Sequence, residues 1–544
     1  MTLLDGFGSK LKYVPVLNIS PEAYGLPPEM DPMAQYVMRQ GGGGLGDIIR
    51  GILVELYARG IEGYYLGPNY KKIFKDNSGL SSKEYIDKVH STPNEQIILL
   101  SSTHFSYLNR IYEGDTTLSA SLLQDLALPH IKEINGNHGG RSIVHTHDQS
   151  AGIIPAYCKS RGIPSVHTLH NGFTYRIPFD HYHYPHTDMT NKDWGLRNFL
   201  YDIPKTVGVL DSHATAVKNA DIITFVGKRF LEEILEGRYD YWNLFVNAKN
   251  TFNEVKIKAW NKQTRVVMNG IASEELPENQ DYLNTKFGPS TVDILGAKKK
   301  NLLEFQERMG LEKNENAILL YWPSRIEESQ KGIESLLYSA LELLIQNPNV
   351  QIAFVGDDAT PDKKYVGDIN RPESKNNSWI GSLISQANTN GMKGRIAHRC
   401  FDKKLSNLGY ASASLTVGAS HYEPFGLFWL QGVCAGAFGV GAENGGAVDI
   451  LRQFDVNKNY GNGFFYKNTD STGLKYGLQT AINAVSELQK NPEVYNTQLR
   501  RIMKQARHDF SIDKMVDGYI DIYQELGVLY KLFTEGYIPF KQAV

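Results

Sequence analysis

Short apolar runs alternate along the chain with longer stretches whose apolar positions recur at helical spacing, the patterns of buried strands and of helices packed on them. The first series comprises "LKYVPVLN", a helix from about Asp47, "IEGYYLG", "QIILLSS", "SIVHTHD" with a helix to about Ser160, "SVHTLH" and "IITFV" followed by a helix. Near-continuous apolar strands suit a parallel sheet covered by helices on both faces. After "TRVVMNGIASEELPEN" the rhythm restarts with "AILLYWPSR", a helix from about Gly332, "QIAFVGDD", "GRIAHRC", a helix to Tyr410, "SASLTVGAS", another helix, "AFGVGA" and "GNGFFYK". The pattern predicts an α/β protein of two doubly wound parallel-sheet domains, 1–268 and 269–510, with a helical segment 511–544. Two segments fall outside the rhythm. Residues 71–94 read as a polar surface excursion, and 173–210, rich in aromatics and histidine, as a functional insertion.

Composition narrows the class. A chain of 544 residues is too long for one ordinary core, which agrees with two domains. Basic and acidic residues nearly cancel, 57 against 59, so no broad field favours a nucleic-acid partner and any bound anion is held locally. Cys158, Cys400 and Cys434 lie far apart and are odd in number, which suggests neither a disulfide framework nor zinc spacing. The opening residues lack a charged segment followed by an apolar one, so a cytoplasmic protein is expected. The most apolar stretch, "FGLFWLQGVCAGAFGVGA" from Phe425, holds five glycines and Gln431; a buried helix followed by a buried strand is expected there rather than a membrane span.

The candidate chemistry begins at "RQGGGGLGDIIRGILVELYARG", Arg39–Gly60. A glycine-rich turn leading into a helix offers bare backbone N–H groups and the positive end of the helix dipole, which suits an oxyanion. It has no Gly-Lys-Ser/Thr, and Gly42-Gly43-Gly44-Leu45-Gly46 only loosely matches a dinucleotide fingerprint. The "HYHYPH" cluster (His181, His183, His186) suits an acceptor-binding or packing surface better than a metal site.

Several segments together, in order over most of residues 40–525, resemble the bacterial glycogen and starch synthases. "GGLGDIIRGILVELYARG" is similar to their Gly-Gly-Leu-Gly-Asp signature, "VHTHDQSAG" and "TLHN" to their His-Asp strand end and Thr-Ile-His-Asn, and "VVMNGI" to their Val-Asn-Gly-Ile. "PSRIEESQKGIE" resembles Ser-Arg-Leu…Gln-Lys-Gly, "ASHYEPFGL" resembles Ser-Arg-Phe-Glu-Pro-Cys-Gly-Leu, and "NGGAVDIL" and "DFSIDKMVDGYIDIY" resemble the closing motifs. The resemblance implies a GT-B fold, two Rossmann-like domains facing across a cleft with the last helix crossing back to the first. It implies retaining transfer of a hexose, glucose foremost, from an ADP- or UDP-linked donor to a hydroxyl of a glucan, another carbohydrate or a small molecule. It requires no cofactor and no metal.

By the same resemblance Arg325 and Lys331 hold the donor diphosphate, where fixed cations stabilise the charge that grows on the leaving group. Glu423 accepts hydrogen bonds from sugar hydroxyls, with the backbone of Phe425, Gly426 and Leu427 beside it, and His170 orients the donor sugar. Gly43, Gly44, Leu45 and Gly46 cradle the phosphates. Asp148 and Asn171 meet sugar or acceptor hydroxyls, Tyr410 stacks on the base, and Gln431 meets the ribose. His145 and His147 are expected to pack. The chain departs from the family in several places: Gly41 and Gly42 replace Lys-Thr, Lys331 follows Arg325 by six positions where five is usual, Leu427-Phe428 replaces Leu-Thr, Gln431 stands where related retaining transferases often have a second Glu, and the insertion 173–210 has no counterpart. A GT-B epimerase or phosphorylase shares the fold and the clamp. The absent loop lysine also suits an inactive glucan- or nucleotide-sugar-binding relative. A homo-oligomer is left open, and neither nucleic acid nor a membrane span is expected.

Overall fold

The computed structural model describes residues 14–36, 44–92, 95–182, 200–201, 208–240, 242, 245, 247–360, 362–367 and 378–534. The chain divides into two compact units, the first formed by 1–226, 231–269 and 512–544 and the second by 227–230 and 270–511.

The first unit is built on seven parallel strands: β1 (Val16–Ile19), β2 (Gly63–Pro68), β3 (Ile97–Leu100), β4 (Ile143–His147), β5 (Ser165–Leu169), β8 (Ile222–Phe225) and β9 (Thr264–Val266), in the order β3-β2-β1-β4-β5-β8-β9. A small antiparallel pair, β6 (Arg176–Pro178) and β7 (Val209–Asp211), brackets the expected insertion, most of which lies outside the described residues. β1 and β4 are buried at every position, as strands covered on both faces must be. The order reverses between β1 and β4, and it is at the carboxyl ends of strands flanking such a switch point that open sheets hold ligands.

The helix Gly44–Ala58 follows the glycine run and buries Ile48, Ile49, Ile52, Leu53 and Leu56. Gly46 has a packing role: a Cβ there would lie 2.0 Å from the ring of Tyr24, which occupies the space a side chain would fill. At the other end of the unit, the helix Ile512–Thr534 packs against this helix and β4; a Cβ on Gly51 would meet Ile512 at 2.4 Å.

Residues 71–94 differ from the polar excursion expected. They form the helices Lys71–Ser78 and Ser82–Ser91, the second opened by a capping box in which Ser81 and Glu84 satisfy each other's backbone N–H. Their few apolar residues are enough, because Phe74 and Tyr85 join the core of the unit. The helix Thr116–Asn137, capped by Asp115, supplies the crossover from β3 to β4; Pro129 in its interior obscures the helical pattern in the sequence.

The second unit carries six parallel strands: β10 (Ile318–Trp322), β11 (Val350–Val355), β12 (Ile396–Arg399), β13 (Leu415–Val417), β14 (Phe438–Ala442) and β15 (Gly463–Tyr466), in the order β12-β11-β10-β13-β14-β15. Its switch point lies between β10 and β13, paired Leu320 to Leu415 and Tyr321 to Thr416. The apolar stretch from Phe425 resolves into the helix Leu427–Cys434 and then β14, both deeply buried. No helix among the described residues is long and apolar enough to cross a membrane.

Gly46→Ala is expected to destabilise the protein by about 1–3 kcal/mol through overpacking against Tyr24. Combining it with Tyr24→Ala should cost less than the sum of the two single changes, a coupling that denaturant unfolding measures directly.

Candidate functional site

In the second unit the loops leaving β10 and β13 bring together three of the four residues to which the sequence assigns catalysis. Glu327 shapes the first loop: its carboxylate accepts the backbone N–H groups of Gln330 at 3.1 Å and Lys331 at 3.0 Å and the Ser329 hydroxyl at 2.6 Å. The turn so formed sends Lys331 inward. Its Nζ donates to Glu423 Oε2 at 2.5 Å and lies 5.6 Å from the centre of the Phe428 ring. Ser420 Oγ donates to the same carboxylate oxygen at 3.1 Å. Arg325 is exposed, and its Nη2 donates to Gln330 Oε1 at 2.9 Å. The six-position spacing is thus absorbed by a turn closed on Glu327, and the extra length leaves Lys331 within reach of Glu423.

Glycines let the loops approach this closely. Gly332 has φ +66°, and a Cβ there would meet the Ala419 carbonyl at 2.3 Å. Gly445 and Gly446 press on the other loop: Cβ atoms would lie 2.2 Å from the Glu423 carbonyl oxygen and 1.7 Å from that of Phe425, while Gly446 N–H donates to the Glu423 carbonyl at 2.7 Å. The Gly-Gly of "NGGAVDIL" therefore positions Glu423 through the backbone. Phe425 is buried, Gly426 takes φ +89° as the cap of the helix Leu427–Cys434, and Leu427 and Gln431 are partly exposed on that helix. Tyr410 is only 6% exposed and sits edge-on to Tyr321 with ring centres 5.3 Å apart, so its faces are largely occupied by protein.

In the first unit, Gly41, Gly42 and Gly43 lie outside the described residues; Gly44 is exposed, Leu45 partly buried and Gly46 buried under Tyr24. His183 and His186 are also outside the described residues, and His181 Nδ1 lies 3.3 Å from Thr117 Oγ1.

Asp148, at the end of β4, has protein partners at both carboxylate oxygens. Oδ1 accepts the backbone N–H groups of His170 at 2.7 Å and Asn171 at 3.2 Å, and Oδ2 accepts Asn171 Nδ2 at 2.9 Å. It holds the loop after β5 from a left-handed conformation, φ +52°, of the strained kind that gathers at functional sites. Burial pushes its carboxyl up to about 7 against the pull of those N–H groups.

His147 does more than pack: its Nδ1 lies 3.1 Å from His170 Nε2. His145 bonds Tyr523 OH and Thr168 Oγ1, both at 2.7 Å. Burial pushes His145 and His170 down to about 3 and His213 to about 4. Sequence inspection missed Glu22 altogether. It follows β1 at the switch point, accepts the hydroxyls of Tyr112 at 2.6 Å and of Tyr24, and is pushed up to about 7 by burial. Only the strand order reveals it.

Two doubly wound parallel sheets with these loops define a GT-B protein. Residues 29–244 match the family model described as the starch synthase catalytic domain. The chain is 24% identical over 514 residues to the glycogen synthase of Pseudothermotoga lettingae, covering 89% of this chain and 95% of that one. A Clostridium botulinum glycogen synthase is 23% identical over 517 residues, with 89% and 96% covered. Among solved structures, the catalytic domain of Arabidopsis thaliana starch synthase IV, bound to ADP and acarbose, superposes with TM-score 0.70 at 16% identity, covering 95% of this chain and 99% of that one. Sucrose-phosphate synthase of Thermosynechococcus elongatus superposes at 0.55 and 16% identity, with 95% and 100% covered. The chain thus resembles glycogen synthases over most of its length, and that resemblance supports a glycosyltransferase, an enzyme.

The buried histidines set a pH dependence. Histidine in the unfolded chain binds a proton near pH 6.5, whereas His145 stays neutral down to about 3, so the unfolded state binds more protons over that window. Stability from this group is complete above about pH 6.5 and falls as pH drops. Glu22 and Asp148, raised by burial, act in the opposite direction, so the wild-type curve alone does not isolate His145. Relative to His145→Gln, the wild type should lose about 1.4 kcal/mol per pH unit between roughly pH 6 and 4, measured by denaturant unfolding.

Proposed function

We propose that this enzyme transfers a hexose, with glucose foremost, from an ADP- or UDP-linked donor to a hydroxyl of a glucan or other carbohydrate, with retention at the anomeric carbon. The observation that carries the proposal is the cationic pair after β10, Arg325 exposed and Lys331 beside Glu423, at the switch point of a parallel sheet. Similarity to glycogen synthases over 89% of the chain supports the same reaction class.

Arg325 and Lys331 take the diphosphate, and the backbone N–H groups at the start of the helix Leu427–Cys434 add the positive end of its dipole. Glu423 accepts hydrogen bonds from sugar hydroxyls. As the anomeric C–O bond breaks, charge grows on the leaving phosphate, where the two cations stabilise it. The departing phosphate oxygen takes the acceptor hydroxyl proton, so no separate carboxylate base is needed. In the first unit taken by itself, His170 and Asn171, whose backbone N–H groups Asp148 holds, are the side chains this reading assigns to a sugar.

Arg325→Ala should lower turnover by roughly a hundredfold with little effect on folding, and Lys331→Ala should lower it at least as far while also costing about 3–5 kcal/mol of stability, because it leaves the Glu423 carboxylate buried without its partner. The assay supplies ADP-glucose or UDP-glucose with maltooligosaccharides and follows elongation and the anomeric configuration of the product. Near-normal rates in both variants would remove the diphosphate clamp. Donor binding without transfer in the wild type would make the chain a binding protein.

A further inference from the structure

His170 is held at its backbone and at its ring. Asp148 fixes its backbone N–H at 2.7 Å, and His147 Nδ1 lies 3.1 Å from its Nε2. His147 is fully buried at the end of β4, while His170 is partly exposed at the end of β5. These rings sit where Thr146 pairs with His167 and His147 with Thr168 in the parallel register, so the sheet itself fixes their separation.

Burial keeps both imidazoles neutral at ordinary pH, since it pushes each far below its usual value. A hydrogen bond between two neutral imidazoles contains one proton, which couples the two tautomers. In one arrangement His147 Nδ1–H donates to His170 Nε2, and His170 carries its own proton on Nδ1. In the other, His170 Nε2–H donates, and the proton of His147 is forced onto Nε2. That Nε2 is buried and has no hydrogen-bond partner among the described residues. An orphaned buried N–H is the rarer situation in folded proteins and carries the full desolvation penalty of a donor.

We infer that His147 is a positioning residue that locks His170 in the tautomer with its proton on Nδ1, so that His170 meets its ligand as a hydrogen-bond donor to an oxygen. The inference rests on the proposal that His170 touches the transferred sugar, and it adds the direction of that contact: His170 Nδ1–H gives, and a sugar hydroxyl oxygen accepts. Selection then favours a sugar presenting an oxygen lone pair at that point over a deoxy analogue, which would leave the N–H unpaired.

Neutron diffraction from crystals of the deuterated full-length protein tests the tautomer directly. Deuterium is expected on Nδ1 of both His147 and His170; deuterium on Nε2 of His170 would overturn the inference. Kinetics supply the second arm. His147→Leu removes the donor and should lower kcat by about tenfold or more, whereas His147→Asn keeps an N–H close to the Nδ1 position and should recover most of the loss. Equal rates for both variants and the wild type would overturn the positioning role. His170→Ala separates the two levels: unchanged transfer there removes the sugar contact proposed for His170, while the neutron result still decides the tautomer. Should His147→Leu not fold, the neutron arm and His147→Asn remain decisive.

Discussion

A buried ammonium set against a buried carboxylate, Lys331 on Glu423, is the constraint around which the second unit's loops are arranged. Removing two charges from water costs several kcal/mol per ion, and their mutual attraction repays this only with close geometry and further hydrogen bonds. Ser420 supplies one such bond to Glu423, and Glu327 shapes the turn that delivers the lysine. A pair of this kind contributes little to stability compared with an apolar replacement. It does keep two opposite charges in defined places at a sheet's switch point, which is what a site for a charged, hydroxyl-rich ligand requires.

Backbone proximity makes that arrangement possible. Gly332, Gly445 and Gly446 each sit where a single methyl group would strike a carbonyl oxygen of the facing loop. The first unit uses glycine in a related way, since Gly46 leaves room for the Tyr24 ring and thereby for the tyrosine hydroxyl that reaches Glu22. Glycines that read in the sequence as a phosphate cradle thus include one whose role is packing. The left-handed Asp148 belongs to the same pattern: a locally unfavourable conformation is retained because its carboxylate then ties down the loop carrying His170 and Asn171.

Much of the fold was legible in the sequence, because buried parallel strands are continuous apolar runs and their periodicity survives without knowledge of neighbours. Strands β4, β5, β10, β11 and β14 fall where those runs predict them. Elements held by only a few buried side chains were less visible. The helices Lys71–Ser78 and Ser82–Ser91 are polar apart from scattered aromatics, and Pro129 masks the helix Thr116–Asn137.

The sequence by itself determined the two parallel sheets, the placing of glycine and charge at strand ends and the resemblance to glycogen synthases, because each rests on local pattern or ordered motifs. Tertiary structure alone decided which strands are neighbours, and with that which strand ends meet. It paired Lys331 with Glu423 across 92 positions, turned Asp148 onto the 170–171 backbone, joined His147 to His170 and buried Glu22 between two tyrosine hydroxyls. The physical reason is that a hydrogen bond depends on distances of about 3 Å in space. Strand order, which periodicity does not encode, sets those distances.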